Sequence, residues 1–280
     1  MSVGVKKYYG SKAAKEWLRL VKDPYHGLEF LTTMAFIQKV LPPSGRILDA
    51  GGGPGRYAIE FAHLGYYVTL LDLVPEMLKK AKTQLRRLQL EGRVSLLEGS
   101  ICDLSNFEDN RFDAVLCLGG TLSHVTDPKE REKAVDELIR VAKADAPICV
   151  SVIGRLATIV TELIGFPEEV ETEIFAKLAS TGDYDGSAGF APCHFFLPDE
   201  LRDAFKNKHV SILGMVGLEG LASGHRRELN SLFKNRPKAY RIWIDTHLQN
   251  CTCPTSVGIS EHFMIICRKN FVKGKLNKNH

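Results

Sequence analysis

Apolar residues recur along the chain with two different periods that alternate. Between residues 13 and 40 the period is helical, and Pro24 divides this stretch into two predicted helices. From residue 46 onward, short apolar runs typical of strands alternate with amphipathic helical stretches. The predicted strands are 46–49, 67–71, 94–97, 114–118 and 148–153, and the helices predicted between them are 57–64, 77–88 and 129–143.

This alternation predicts an α/β fold, because parallel strands are joined by helices that cover both faces of the sheet. The alternation of strands and helices stops near residue 156. Two further apolar strands, 210–216 and 262–267, follow with a helix around 229–248 between them. We therefore expect a seven-stranded, mostly parallel sheet flanked by helices, with an N-terminal helical extension and a helical insertion after strand 5.

Composition narrows the function classes. Among 280 residues, 44% hydrophobic and 25% charged residues are typical of a globular protein with a substantial core. A net charge of +4 permits a nucleic-acid partner without requiring one, and seven cysteines, an odd number, indicate reduced thiols. No apolar run reaches the roughly 18–20 residues of a membrane span. Because residues 1–10 also lack the apolar segment of a secretory signal, we expect no membrane contact and a cytoplasmic location.

The first predicted strand ends at Asp49 and is followed by a glycine-rich turn, Gly51, Gly52, Gly53 and Gly55. Glycines permit positive φ angles and let a ligand approach the backbone where a Cβ would collide. The amides at the start of the following helix favour an anionic group. In an open α/β sheet, ligands bind at such carboxyl ends of strands.

Two classes of ligand compete for this turn. A dinucleotide fingerprint requires G-x-G-x-x-G or its alanine variant, but Arg56 occupies the last position and Pro54 removes an amide. The carboxylate of Asp49 would repel a pyrophosphate, whereas it suits the ammonium group of a methionine moiety. Asp72, at the end of the second strand, is placed to accept ribose hydroxyls in either class.

With these residues, the chain resembles the class I S-adenosylmethionine-dependent methyltransferases over residues 46–155, with a weaker similarity to residue 268. The resemblance implies a Rossmann-like version of the predicted fold and S-adenosylmethionine as cofactor. It implies that the first-strand acid and its turn hold the methionine end, and that the second-strand acid holds the ribose. The predicted cofactor-binding residues are Asp49, Gly51, Gly53, Gly55, Asp72, Leu73, Ser100, Ile101, Leu118 and Tyr9.

The turns after the third and fourth strands and the N-terminal tyrosines also bear on the resemblance. The family often carries Gly-Asp after the third strand, where this chain has Gly99 and Ser100, so the carboxylate is missing although Cys102 and Asp103 lie near enough to substitute. The segment 118–124 after the fourth strand corresponds to backbone lying against the sulfonium end. Tyr8 and Tyr9 precede the first predicted helix, and we expect them either to fold over the cofactor or to anchor the N-terminus in the core.

On this basis the chain is one predicted domain, 1–280, in four parts. They are the N-terminal helical extension 1–44, the cofactor-binding core 45–155, a lid or substrate insertion 156–208, and the C-terminal part of the core 209–270.

Catalytic residues are poorly marked, because an activated methyl donor needs mainly alignment of the acceptor and needs a base only when the acceptor carries a proton. His194, in the aromatic segment 189–198, is one candidate base. The alternative is that Phe195 and Phe196 pack the lid on the sheet and leave His194 partly exposed. His124, after the fourth strand, is the second candidate, and its alternative is a histidine in a surface loop.

The remaining patterns favour no further chemistry. His247, Cys251, Cys253 and His262 do not match zinc spacings, so no metal is expected. The basic run is interpreted as a solvated helix face, and it comprises His225, Arg226, Arg227, Lys234, Arg236, Lys238 and Arg241. We expect methyl transfer to a small-molecule acceptor by in-line displacement. The alternatives are an RNA or protein methyltransferase and a non-catalytic nucleotide-binding protein of the same fold.

Overall fold

The computed structural model describes residues 2–187 and 189–271, which form twelve α-helices and nine strands. The helices are α1 (Ser2–Gly10), α2 (Ala13–Arg19), α3 (Pro24–Ile37), α4 (Arg56–His63), α5 (Pro75–Leu88), α6 (Pro128–Val141), α7 (Arg155–Gly165), α8 (Glu173–Thr181), α9 (Pro198–Lys206), α10 (Arg226–Asn235), α11 (Pro237–Asn250) and α12 (Pro254–Gly258). The strands are β1 (Arg46–Ala50), β2 (Tyr67–Asp72), β3 (Val94–Glu98), β4 (Ala114–Cys117), β5 (Pro147–Ile153), β6 (Asp183–Tyr184), β7 (Cys193–His194), β8 (Val210–Gly217) and β9 (His262–Lys269).

Seven of these strands form one sheet in the order β3-β2-β1-β4-β5-β9-β8. β9 runs antiparallel to both of its neighbours, and the pairs from β3 to β5 are parallel. The predicted seven-stranded, mostly parallel sheet flanked by helices is confirmed. The strand order reverses between β1 and β4, and this opens a crevice at their carboxyl ends.

The central strands of the sheet are buried on both faces, which explains why β4 and β5 are apolar almost without interruption. Successive residues of β1 point to opposite faces, so that Leu48 packs in one core cluster and Ile47 in the other. The helices present one apolar face to these clusters. In α5, Met77, Ala81 and Leu85 are buried as predicted, whereas Leu88 is exposed.

Two helical regions differ from the prediction. Residues 2–10 form a helix, so Tyr8 and Tyr9 lie within the first helix and do not precede it. This helix has little apolar periodicity and is placed by tertiary contacts with α5 and with Pro192. The single helix expected around 229–248 is two helices, α10 and α11, because Pro237 begins a new helix where its missing N–H is harmless.

The segment after β5 contains α7, α8 and the hairpin β6–β7, followed by α9. The hairpin pairs only two residues per strand, which is too short to give an alternating pattern. Leu178, Tyr184, Cys193 and Phe195 form a separate small cluster within the segment. By contrast, α9 packs into the main core through its apolar face.

No helix within residues 2–187 and 189–271 is both long enough and apolar enough to cross a membrane.

Candidate functional site

A pocket lies at the carboxyl ends of β1–β4 and is bounded on the other side by α1 and α2. The sequence-predicted residues that line it are Tyr9, Asp49, Gly51, Gly53, Asp72, Leu73, Ser100, Ile101, Leu118 and His124. Gly55 and His194, which were also predicted as site residues, are not among the lining residues. Segments distant in sequence therefore converge on one cavity, as the strand order requires.

The glycine turn is shaped by contacts with the turn after β4. Gly51 has a φ of +79°, and a Cβ there would lie 2.2 Å from the side chain of Thr121. The hydroxyl of Thr121 is 3.0 Å from the carbonyl oxygens of both Gly51 and Leu118, so it ties the two turns together. Gly53, with a φ of +56°, has no atom within 4 Å of its absent Cβ and borders the pocket.

Gly55 has a different role from the one predicted. It adopts a φ of +83° at the N-cap of α4, and a Cβ there would lie 2.9 Å from Leu70 Cδ1. Gly55 is therefore required for close packing of α4 on the sheet, and it does not contact the cavity.

Asp49 is fully buried at the floor of the pocket. Neither carboxylate oxygen forms a regular hydrogen bond with a described group, although the amide of Ala58 weakly favours the ionised form. Burial, and secondly the nearby charge of Asp72, raise the pKa of Asp49 to about 7. A buried carboxyl group without regular hydrogen-bond partners is suited to bind a positively charged group of a ligand, which would supply the missing partner.

Asp72 is held by two backbone amides. Its Oδ2 accepts a hydrogen bond from the amide of Gly53 at 2.8 Å, and its Oδ1 accepts one from Val74 at 2.8 Å. Burial raises its pKa to about 6, with the two amides acting in the opposite direction. Since a carboxylate has about four acceptor positions, Asp72 can still accept two hydroxyl groups.

The turn after β3 contributes Ser100 and Ile101 to the lining. The hydroxyl oxygen of Ser100 accepts a hydrogen bond from the amide of Cys102 at 3.2 Å. Cys102 is buried in the core and Asp103 is exposed, and neither lines the pocket. The expectation that one of them substitutes for the missing carboxylate has no support from their positions.

Tyr9 and His124 form a pair at one end of the pocket. The Tyr9 hydroxyl lies 2.9 Å from Nε2 of His124, and Nδ1 of His124 lies 3.0 Å from the carbonyl oxygen of Pro192. A carbonyl only accepts, so Nδ1 carries the proton and Nε2 accepts from Tyr9. Burial lowers the pKa of His124, which keeps the ring neutral. His124 is therefore buried, and the surface-loop alternative is wrong.

Arg19 also lines the pocket and was missed by the sequence analysis. Its guanidinium pairs with both oxygens of Glu29, and its terminal nitrogen NH2 would lie 3.4 Å from a Cβ on Gly119. The helix that carries it is fixed by Arg56, whose guanidinium stacks 3.7 Å from the Trp17 ring centre and donates to the Trp17 carbonyl at 2.6 Å. Trp17 and Arg56 are 39 residues apart in the chain, so no local sequence pattern indicates this docking.

Glu29 belongs to a buried network that continues away from the pocket. Nδ1 of His262 lies 2.9 Å from Glu219 Oε1 and 3.8 Å from Glu29 Oε2. Burial opposes the charge of His262, but these two carboxylates outweigh it and raise its pKa to about 9. Arg19, Glu29, His262 and Glu219 together are electrically neutral, which makes their burial tolerable.

His194 lies elsewhere, in a separate cavity between α6 and α9. Its Nδ1 is 2.7 Å from Asp183 Oδ1 and its Nε2 is 3.7 Å from Glu200 Oε2. The alternative expectation also needs correction. Phe196 packs in the main core, but Phe195 packs within the insertion, and His194 is buried. The reason is that β6 pairs with β7 and turns these side chains inward.

The C-terminal histidines and the basic run take other partners. Nε2 of His247 is 2.9 Å from the hydroxyl of Thr32, while His262 pairs with Glu219. Arg226 pairs with Asp23 at 2.8 Å, and the basic residues are exposed. The basic run therefore lies on exposed faces of α10 and α11.

Comparison with known proteins identifies the family to which the chain belongs. Residues 47–145 match the family described as "Methyltransferase domain". A ubiquinone biosynthesis O-methyltransferase from Xanthomonas axonopodis pv. citri is 33% identical over 222 residues, which cover 79% of this chain and 85% of that relative. This chain belongs to the class I S-adenosylmethionine-dependent methyltransferases. A relative of the same name from Xanthomonas campestris is 34% identical over 119 residues, and this match spans about half, 48%, of that relative.

The methyltransferase fold is shared with solved structures of low sequence identity. A SAM-dependent methyltransferase from Methanosarcina mazei aligns with a TM-score of 0.60 at 22% identity and covers 85% of this chain and 98% of that one. A 1,6-didemethyltoxoflavin-N1-methyltransferase from Burkholderia thailandensis, solved with S-adenosylhomocysteine, aligns with a TM-score of 0.56 at 15% identity. That match covers 96% of this chain and 88% of the other. Both similarities concern the fold.

Proposed function

We propose that this methyltransferase transfers the methyl group of S-adenosylmethionine to a small molecule, and that the accepting atom carries a proton. The observation that carries the proposal is the unpartnered carboxylate of Asp49, buried in a pocket that a glycine turn leaves open to a ligand. Membership of the family and the small-molecule O-methylation named for the Xanthomonas relatives support it.

The residues present fit this cofactor. Asp49 would bind the ammonium group, because its two oxygens lack regular partners. Asp72 would accept the ribose hydroxyls, with Leu73, Ser100 and Ile101 beside the adenine. Arg19 would face the carboxylate, since Glu16 and Glu29 engage only three of its five N–H donors.

When bound, S-adenosylmethionine supplies an activated methyl group, so the chain has to align the acceptor and exclude water. We assign the base to His124. Its Nε2 has a free lone pair when the Tyr9 hydroxyl is displaced, and an acceptor hydroxyl in that place can give its proton to Nε2. The hydrogen bond from Nδ1 to Pro192 then holds the ring in position as the proton arrives.

The test is incubation of a cell extract with the enzyme and S-adenosylmethionine deuterated in its methyl group, followed by mass spectrometry of metabolites, RNA and protein. We expect label in a small molecule. With that acceptor, His124→Gln should reduce transfer by about 10²–10⁴-fold, the usual contribution of a base, with unchanged affinity for S-adenosylhomocysteine.

His63→Gln, on the exposed part of α4, is the matched control and should transfer as the wild type does. Label found only in RNA or protein would contradict the small-molecule acceptor. Absence of label in every fraction would favour a non-catalytic binding protein. Loss of transfer with His194→Gln but not with His124→Gln would show that the base is wrongly assigned.

A further inference from the structure

A second cavity lies inside the insertion and is separated from the cofactor pocket by one aromatic ring. It lies between α7, α8 and the β6–β7 hairpin, and we call it the insertion cavity. Its lining residues are Thr158, Glu162, Glu169, Ile174, Phe175, Leu178, Tyr184, Phe190 and Phe195.

Phe190 connects this cavity to the catalytic end of the cofactor pocket. Its ring borders the insertion cavity on one side. On the other side it lies 5.8 Å from the ring of His124 and 5.3 Å from the ring of Tyr8, measured between centroids. Phe190 is therefore the side chain that lies between the insertion cavity and His124.

The lining of the cavity is mostly apolar and aromatic, and its polar groups are two carboxyls and the hydroxyls of Thr158 and Tyr184. Oε2 of Glu162 is buried and has no hydrogen-bond partner in the described part of the chain. Burial, and secondly the charge of Glu169, raise the pKa of Glu162. The lining residues given above include no lysine, arginine or histidine. A buried carboxyl oxygen without a partner, beside a second carboxylate, is relieved best by a cation.

We propose that the insertion cavity is the binding site for the body of the methyl acceptor, and that it selects an apolar, ring-containing molecule with a protonated amine. The ring packs among Phe175, Tyr184 and Phe195, and the ammonium group donates to Glu162. Phe190 forms the passage to His124. This inference rests on the proposed function and names the substrate class for that same site.

The test uses three small probes with the same ring but different charge, namely 2-phenylethylamine, 2-phenylethanol and phenylacetate. Binding is followed by NMR of the full chain carrying ¹³C-labelled isoleucine δ1 methyl groups. Ile174 lines the cavity, and Ile242 on exposed α11 is the internal control. Ile174→Val identifies the reporter signal.

We expect 2-phenylethylamine to shift the Ile174 signal and leave Ile242 unchanged, with a dissociation constant at least fivefold lower than that of phenylacetate. In Glu162→Gln this preference should fall below twofold, whereas the exposed neighbour Glu171→Gln should keep it. Phe190→Leu, which widens the passage, should retain the amine preference.

Two results would overturn the inference: no shift at Ile174 with any probe, or an equal preference for the amine in Glu162→Gln and wild type. S-Adenosylhomocysteine is titrated into the same samples. If it binds while the probes do not, the proposed function stands and the inference about the acceptor fails. If it does not bind, the proposed function fails independently of the probe result.

Discussion

Asp49 lowers the stability of the ligand-free protein, and it is proposed to bind a cationic group of the ligand. A buried polar group without a partner lowers the free energy of unfolding by about 1–3 kcal/mol, and the cost is greater when the group is charged. Because burial raises the pKa of Asp49 to about 7, the carboxylate is mostly ionised at pH 8. A cationic ligand would supply the missing partner and so offset this cost.

Asp49→Asn removes the charge but keeps a buried polar group. It is therefore predicted to stabilise the ligand-free protein at pH 8, and to do so by less at pH 5, where the wild-type carboxyl is protonated. The same variant should bind S-adenosylhomocysteine at least tenfold more weakly. Urea unfolding and calorimetric titration measure the two effects.

Asp113→Asn is the matched control, since Asp113 pairs with Lys143 at 2.6 Å and accepts from the amide of Arg46 at 2.8 Å. That variant should be less stable than the wild type. A destabilised Asp49→Asn protein with unchanged affinity would show that Asp49 serves folding and not the ligand.

The residues of the pocket that could be predicted from the sequence are those in contiguous motifs. Asp49 and Asp72 lie at the ends of strands, and Gly51 and Gly53 lie in the turn after β1. Their positions are therefore set by the sheet once the strands are recognised. Arg19 could not be found in this way, because it reaches the pocket only through the docking of α2 on Arg56.

The choice between His124 and His194 could not be made from the sequence either. It depends on the pairing of β6 with β7, which turns His194 toward Asp183. Four residues in two strands carry no readable period.

At the scale of elements, the turn between β1 and α4 must satisfy both the sheet and the ligand. Gly53 and Gly65 have positive φ angles of +56° and +96°, and neither has an atom within 4 Å of its absent Cβ. They differ in that Gly53 borders the pocket, whereas Gly65 follows α4 outside it.

Alanine at either position should cost about 1–2 kcal/mol of stability, from the left-handed backbone alone. Only Gly53→Ala should also weaken binding of S-adenosylhomocysteine, by at least tenfold, because its methyl group occupies space at the ligand. Thermal unfolding and calorimetry compare the pair. Equal affinities in the two variants would mean that the ligand does not lie against this turn.

The helices and strands could be predicted from the sequence where their buried residues form a regular apolar pattern. β1–β5 and α4–α6 agree with the prediction to within a few residues, since each presents a clear apolar face or run. α1 was not predicted, because contacts with Pro192 and α5 place it. The break between α10 and α11 was not predicted either, because Pro237 was not taken as a helix start.

At the scale of the whole molecule, buried charges join the N-terminal helices to the end of the sheet. His262 on β9 links Glu29 of α3 to Glu219 of the loop after β8. Its pKa of about 9 lies above the ordinary value of 6.5. Protonation therefore favours the folded state, and this stabilisation is complete below about pH 6.5 and lost as the pH rises through 9.

His262→Gln should accordingly cost about 3 kcal/mol at pH 6 and clearly less at pH 10, as measured by urea unfolding. His209→Gln, at an exposed histidine before β8, should cost little at either pH. The same loss for His262→Gln at both pH values would contradict a charged His262 in the folded protein.

The most direct test of the central claim is calorimetric titration of the full chain with S-adenosylhomocysteine and, separately, with NAD. We expect one micromolar site for S-adenosylhomocysteine, no comparable binding of NAD, and at least a tenfold loss of affinity for S-adenosylhomocysteine, about 1.4 kcal/mol, in Asp72→Ala. Tight binding of NAD, or an unchanged affinity for S-adenosylhomocysteine in Asp72→Ala, would contradict the assignment of this pocket.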